Sequence, residues 1–418
     1  MTEWTRAALA ADLADTAFAG PVSGSLRPRR LGAEVEMIPL ESATGRRCAI
    51  EDDEVISTLP FLRRYGEAQG WCEGSTPKGT PCFALPAGGT LTFEPGGQLE
   101  YSSPPCRSAS ALLGILRAVV LPLRTAASAE GIDLQTVGID PLNPADRVPL
   151  VLRAKRYDRM AEYFERRGPA GARMMRQTAA FQVTMDFDDE PWLRWRVLNA
   201  AAPYVVAIFA NSPVYAGERT GHQSARAHTW RELDPTRTGL PYSESDPVQA
   251  YLDFALNAPA ILLPNLDGEH RPFGEWLALA SPTNEEWKDH LSTLFPEVRP
   301  RGHLELRSAD SIAPEWYPAP IALTAGILYD PRSLRAADDL LGNPDLGLLE
   351  RAGRLGLHDA ALARTASDLF ELALSGCGAL GPTYLHPTDL EQARDFFDRY
   401  TRRGRAPADD VSQDAIAA

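Results

Sequence analysis

Four short stretches of the chain alternate apolar and polar positions with the period of a β-strand. Across 31–37, Leu31, Ala33, Val35 and Met37 fall on one face, and Glu34 and Glu36 fall together on the other. Phe93-Glu94 and Gln98-Leu99-Glu100-Tyr101 bring two more carboxylates, one on each side of Pro95-Gly96-Gly97. Gln182, Thr184 and Asp186 share a face in 181–186, and His303, Glu305 and Arg307 lie opposite Leu304 and Leu306 in 302–307. Laid side by side, these strands give one sheet face a carboxylate cluster with a guanidinium at its edge. Such a face repels itself unless divalent cations sit on it.

Elsewhere the spacing is helical. Helices are predicted over 1–20, 55–68, 108–131, 153–167 and 191–210, with a turn over 21–30 and a short strand over 134–139. The segment 211–239 mixes Gly, Pro, Ser and Thr with many charges and reads as a functional loop. A helical tail is predicted over 314–329, 346–354, 359–374 and 389–402. The expected class is α+β: a curved, mostly antiparallel sheet, helices packed on its apolar face, and a helical C-terminal tail. The expected organisation is an N-terminal helix and linker over 1–29, one large domain over 30–405, and a disordered tail over 406–418.

Composition narrows the function. An apolar fraction of 44% in 418 residues supports a substantial core. A net charge of −14 disfavours nucleic acid and anionic membranes as partners, so any bound phosphate must be managed locally by arginine or metal. The first twenty residues carry Glu3, Arg6, Asp12 and Asp15 among alanines, unlike a signal peptide, and no run of 18 apolar residues occurs. A cytoplasmic enzyme is expected. The five cysteines include no C-x-x-C pair, and free thiols are expected.

The candidate chemistry centres on the acids. Two glutamates at i and i+2 are also what a solvated strand shows, but Glu94 and Glu100 beside a Gly-Gly bend strengthen the case for a ligand-holding face. Glu305 and Arg307 could form a plain ion pair. In the functional reading Glu305 ligates metal, Arg307 holds a transferring phosphoryl group, and Arg299 and Arg301 extend the positive rim. None of the seven histidines has H-E-x-x-H spacing. An all-oxygen site of glutamates and Gln182 suits Mg²⁺ or Mn²⁺. P-loop, dinucleotide-binding and nucleophile-elbow motifs are absent. Arg226 and Trp230, four apart, would share a helix face and meet one ligand. Arg173 and Arg176 are further candidates for an anionic substrate.

Six blocks, in order, resemble the glutamate–cysteine ligase family of plants and many bacteria. They are GAEVEMIP at 32–39, FEPGGQLEYS at 93–102, MMRQTAAFQVTMD at 174–186, ANSP at 210–213, SARAHTW at 224–230 and RPRGHLELR at 299–307. The resemblance implies a glutamine synthetase-like catalytic sheet. It also implies that ATP phosphorylates the γ-carboxylate of glutamate and that the amine of cysteine attacks the acyl phosphate, giving γ-glutamylcysteine, ADP and phosphate. On this pattern Glu34, Glu36, Glu94, Glu100, Gln182 and Glu305 form the magnesium shell, Arg307 and Arg301 hold the nucleotide phosphates, and Arg226, Trp230 and Arg176 meet the amino-acid substrates. The product would feed glutathione or ergothioneine synthesis. Thr184 stands where asparagine is common, and His222 where an aromatic residue is usual, which leaves a different amine or acid as the alternative substrate. A metal-dependent hydrolase and an inactive nucleotide-binding protein are the other classes, and monomer and homodimer are both compatible with the sequence.

Overall fold

The alternating stretches pair with one another in a single sheet. The computed structural model describes residues 5–18, 29–77, 79–187, 189–243, 246–264, 269–280 and 282–411. Its strands are β1 (Leu31–Glu41), β2 (Cys72–Ser75), β3 (Pro81–Ala84), β4 (Thr90–Phe93), β5 (Leu99–Ser102), β6 (Ile132–Gln135), β7 (Ala180–Met185), β8 (Val298–Pro300) and β9 (Leu304–Asp310). They run β8-β9-β7-β1-β5-β4-β3-β2, with β6 beside the far end of β1, and every pairing is antiparallel. The alternation explains the two faces. Leu31, Ala33, Val35 and Met37 are buried in the core, and Glu34 and Glu36 are only half-buried on the other side.

The helices are α1 (Arg6–Asp12), α2 (Thr58–Ala68), α3 (Ala109–Ala129), α4 (Lys155–Glu165), α5 (Ala170–Gln177), α6 (Pro191–Ile208), α7 (Ala225–Leu233), α8 (Pro247–Asn257), α9 (Phe273–Leu279), α10 (Asn284–Leu291), α11 (Pro318–Tyr329), α12 (Pro331–Leu341), α13 (Leu346–Leu355), α14 (Ala360–Leu380) and α15 (Pro387–Arg399). Helices α3, α6 and α11 back the apolar face. Helix α11 is apolar on all sides and buried throughout, because α14 and α15 cover what the sheet does not. By length and composition α3 could cross a membrane, yet its Leu112, Leu113, Leu116 and Leu123 lie in the core. Its Arg117 pairs with Asp389 and its Arg124 donates to the Leu134 carbonyl.

Several expectations change. Helix α1 passes into a π-helical turn over Leu13–Ala17, and the rest of the turn expected over 21–30 lies outside the described residues except for 29 and 30. The strand expected over 134–139 begins earlier, at Ile132, and Ile139 makes only an isolated bridge to Thr178. The loop expected over 211–239 contains a small hairpin and helix α7, whose first turn is capped by the Ser224 side chain on the Ala227 amide. Helices α8, α9, α10 and α12 were not foreseen. With α4, α5 and α7, helices α8 and α10 roof the polar face, so it is not an open solvated surface.

The tail expected to be disordered from 406 is ordered as far as 411. Ala406 and Ala408 are buried, the Ala408 amide donates to the Ala210 carbonyl, and Asp410 accepts from Arg399, Tyr400 and Arg405. Residues 412–418 lie outside the described residues. Deleting residues from 406 onward should therefore lower stability by about 2 kcal/mol, from one buried backbone bond and charge-assisted bonds of about 1 kcal/mol each, partly exposed. Urea unfolding of the full and shortened chains checks this, and coincident midpoints would show the segment contributes nothing.

Candidate active site

A cavity of about 600 Å³ lies between the polar face of the sheet and its helical roof. The antiparallel register builds its floor. Glu36 on β1 stands opposite Glu100 on β5, and Glu34 stands opposite Gln182 on β7 and Ser102 on β5. Glu94, at the end of β4, joins them from the turn. The turn itself is shaped by its glycines: Gly97 has φ +81°, and a Cβ on Gly96 would lie 2.2 Å from the Arg176 carbonyl oxygen. Gly96 thus serves the packing of the turn against the end of α5, and Glu94 and Pro95 face the cavity.

Crowded negative charge dominates this floor. Burial, then the charges of Glu100 and Glu305, push Glu34 up to about 8. Burial and the neighbouring Glu36 and Glu34 push Glu94 up to about 7. Glu100 stands well above the usual carboxylate range through burial, Glu94 and Glu36. Burial also raises Glu36, against the opposing pull of Arg226 and of the Ala180 amide, which donates to it at 2.8 Å. In all four, burial and like charge outweigh the positive charge that the protein supplies, which disfavours the ionised form.

The β8–β9 edge carries the opposite charge. Arg299 grips Glu305 with bonds of 2.9 and 2.7 Å, Arg307 donates to it at 2.6 Å, and Arg301 stands 3.7 Å away. Burial alone would raise the Glu305 carboxyl, but Arg299 and Arg307 outweigh it and hold it below the ordinary range. Glu305 lies behind the arginines and does not line the cavity. It anchors three guanidiniums that line the cavity, and its charge still reaches Glu34. Gln182 does line it, and its amide links the two charge types: Nε2 donates to Glu36 at 3.0 Å and Oε1 accepts from Arg307 at 2.8 Å, with a second lone pair left on Oε1.

Helix α7 adds a basic and aromatic wall. Arg226 and Trp230 share one face of it, as their spacing predicts, and both line the cavity. Arg226 donates to the Arg307 carbonyl at 2.8 Å, and the Trp230 ring lies 5.7 Å from the Arg307 guanidinium carbon. Arg226 Nε and Trp230 Nε1 are buried donors without a protein partner among the described residues. Arg176 does not join them. Its guanidinium points to the carbonyls of Ala145 and Val148, away from the cavity, and Arg173 lies near Glu232 and over Tyr215. His222 stacks on His228 outside the cavity, and Thr184 also lies outside its lining.

The roof contributes residues that the strand pattern did not reveal. Arg156 and Tyr157 come from α4, Tyr251 from α8 and Lys288 from α10, and Thr16 and Ala17 come from the π-helical turn. Arg156 donates to the Ser292 carbonyl at 2.7 Å. The i, i+4 spacing of Arg156 and Met160, and of Lys288 and Ser292, was the available signal, since each pair shares a helix face.

Among the described residues, no three His, Cys, Asp or Glu side chains already form a metal-holding group. The donor chemistry nevertheless fits a hard divalent cation: Glu34, Glu36, Glu94 and Glu100 supply only oxygen, and three of them are short of compensating charge.

Residues 30–414 match the family described as glutamate-cysteine ligase family 2. The glutamate–cysteine ligase EgtA of Mycolicibacterium smegmatis is 34% identical over 349 residues, covering 80% of this chain and 79% of that one. The chloroplastic glutamate–cysteine ligase of Arabidopsis thaliana is 30% identical over 377 residues, covering 83% and 70%. A glutamate–cysteine ligase from Francisella tularensis, solved with AMP, shares the fold with a TM-score of 0.51 at 15% identity, over 93% of this chain and 88% of that one. With nearly its whole length matched and relatives above 30% identity over most of it, this chain belongs to glutamate–cysteine ligase family 2.

Proposed function

We propose that the chain joins the γ-carboxylate of glutamate to the amine of cysteine at the expense of ATP. The observation that carries this reading is the polarity of the cavity: carboxylates on β1 and β5 face guanidiniums on β8, β9 and α7 across one roofed cleft. Phosphoryl transfer needs charge neutralised on the β- and γ-phosphates and a nucleophile held in line.

A γ-carboxylate oxygen attacks the γ-phosphorus, the bond to the bridging oxygen breaks, and ADP leaves. The cysteine amine then attacks the acyl carbon, phosphate leaves, and the amine gives up a proton. Arg307, fixed by Glu305 and Gln182, places a planar fork where the transferring phosphoryl develops charge. Arg301, more exposed at the rim, meets the outer phosphates. Arg226 receives an amino-acid carboxylate and Trp230 bounds the pocket beside it. The roof excludes water, which would otherwise hydrolyse the acyl phosphate. Glu34, Glu36, Glu94 and Glu100 are the residues that would hold Mg²⁺, whose positive charge offsets the phosphate oxygens when bound.

ADP release measured with glutamate, ATP and a panel of amines tests the reaction. Cysteine should stimulate turnover most, and no stimulation by cysteine would overturn the assignment. Arg307→Lys should lower kcat by about 100-fold or more, because an ammonium lacks the fork that meets two phosphate oxygens. Glu34→Gln should abolish ligation and keep the fold, because an amide matches the protonated carboxyl in shape and charge but cannot become the carboxylate that a bound cation needs. Near-normal turnover in both variants would refute these roles.

The raised carboxyl groups predict a pH effect with a definite sign. Glu34 near 8 and Glu94 near 7 hold protons in the folded chain that the unfolded chain, with groups near 4.5, has already released. Stability without metal should therefore fall from pH 6.5 to 8.5. His290, pushed down to about 3 by burial, is neutral in the folded chain but half-protonated at pH 6.5 in the unfolded one, so it adds an opposing slope at the low end of the window that fades by about pH 7.5. Magnesium should raise the melting temperature more at pH 8.5 than at pH 6.5, where it must displace protons. Melting curves with and without Mg²⁺ at both pH values check this, and an equal shift at both would count against a carboxylate site.

A further inference from the structure

Arg226 is useful only if its guanidinium is held still, and helix α7 alone does not hold it. Two backbone carbonyls accept from it, Arg307 at 2.8 Å and Ser308 at 3.5 Å, and the charged group behind it is Asp310, at the last position of β9, past the register shift that separates Leu306 from Ala309. Its carboxylate is buried and fully occupied. One oxygen accepts the Asn211 amide at 2.8 Å and the Ser212 hydroxyl at 2.6 Å, and the other accepts the Ser224 hydroxyl at 2.8 Å with Arg226 Nη1 3.8 Å away.

Both serines then turn their lone pairs to α7. Ser224 Oγ accepts the Ala227 amide at 3.0 Å, and Ser212 Oγ accepts the Arg226 amide at 3.2 Å. A hydroxyl that donates to a carboxylate has its oxygen free to accept, so Asp310 fixes the direction of both caps. The same group therefore sets the start of α7 through the serines and the guanidinium of Arg226 through its charge. Space around it is reserved as well: a Cβ on Gly138 would lie 2.4 Å from the Asp310 carboxyl carbon.

We infer that Asp310 is the positioning residue that aims Arg226 at a substrate carboxylate, with Ser212 and Ser224 as its links to the helix. This rests on the reading of Arg226 given above. Asparagine is the decisive substitution. It keeps the shape, but its NH₂ group must face either Asn211 N–H and Ser212 O–H or Ser224 O–H and Arg226, donors in each case.

The test is steady-state kinetics of Asp310→Asn, Arg226→Lys and the double variant, with KM measured separately for glutamate, cysteine and ATP. Arg226→Lys should raise KM for one amino acid by about 10-fold, and which one rises identifies the carboxylate that Arg226 receives. Asp310→Asn should raise the same KM by about 10-fold, with kcat and the KM for ATP within about threefold, and the double variant should be no worse than Arg226→Lys alone. If Asp310→Asn does not fold, Ser224→Ala replaces it and should raise that KM about threefold, with Ser224→Thr restoring it because the hydroxyl is kept. An unchanged amino-acid KM in Asp310→Asn, or in Ser224→Ala, alongside a raised one in Arg226→Lys, overturns the inference and leaves the role of Arg226 standing. Unchanged KM values in Arg226→Lys refute the reading of Arg226 itself, and the inference falls with it.

Discussion

Like charges forced together by a two-residue repeat are the constraint on which this molecule is built. Once Leu31, Ala33, Val35 and Met37 enter the core, Glu34 and Glu36 have no choice of side, and antiparallel pairing then sets Glu36 against Glu100. A strand shifted by one residue would bury the acids and expose the apolar row. The protein meets the resulting repulsion incompletely. Arginines on β8 and β9 neutralise Glu305, Gln182 ties Glu36 to Arg307, and burial with mutual repulsion raises Glu34, Glu94 and Glu100 above the usual carboxylate range. That residual imbalance is what a nucleotide with its cation can relieve.

The roof makes the imbalance chemically useful. Charges that face one another across a wet cleft interact weakly, whereas the same groups under α4, α5, α7, α8 and α10 interact through little solvent. The apolar cluster that includes Met160, Met174, Met175 and Phe295 packs these helices together and reaches the cavity wall, holding the roof in place without adding charge. Polar chemistry and apolar support thus alternate in layers: core helices, sheet, cavity, roof.

Much of this was legible from residue order. The alternation at 31–37 and 302–307 predicted both strands and the direction of their acids, and the Arg226–Trp230 spacing predicted one shared helix face. What the pattern lacked was partner information. Glu305 reads as a metal ligand or a partner of Arg307, and only the strand pairing shows that Arg299 closes on it as well; Arg176 reads as a site cation until its helix ends against the Gly96 bend. The helices between 247 and 291 escaped notice because they are short and interrupted, and α7 was obscured by the polar residues that suit both a loop and a site. Asp310 carries no sequence signal of its own, since its importance comes from three donors and one charge within 211–226, far earlier in the chain.

The π-helical turn near the N-terminus has a consequence for how the pocket comes into being. Thr16 and Ala17 form part of its wall, but their ties are to distant partners: Asp12 accepts from Trp287, and the Ala17 carbonyl accepts the Gly302 amide. A ribosome delivers the first of these segments long before the last. The nascent chain must therefore keep its opening turn unattached while the intervening sheet and roof are made, and the enclosure closes late, by a contact of very long sequence separation.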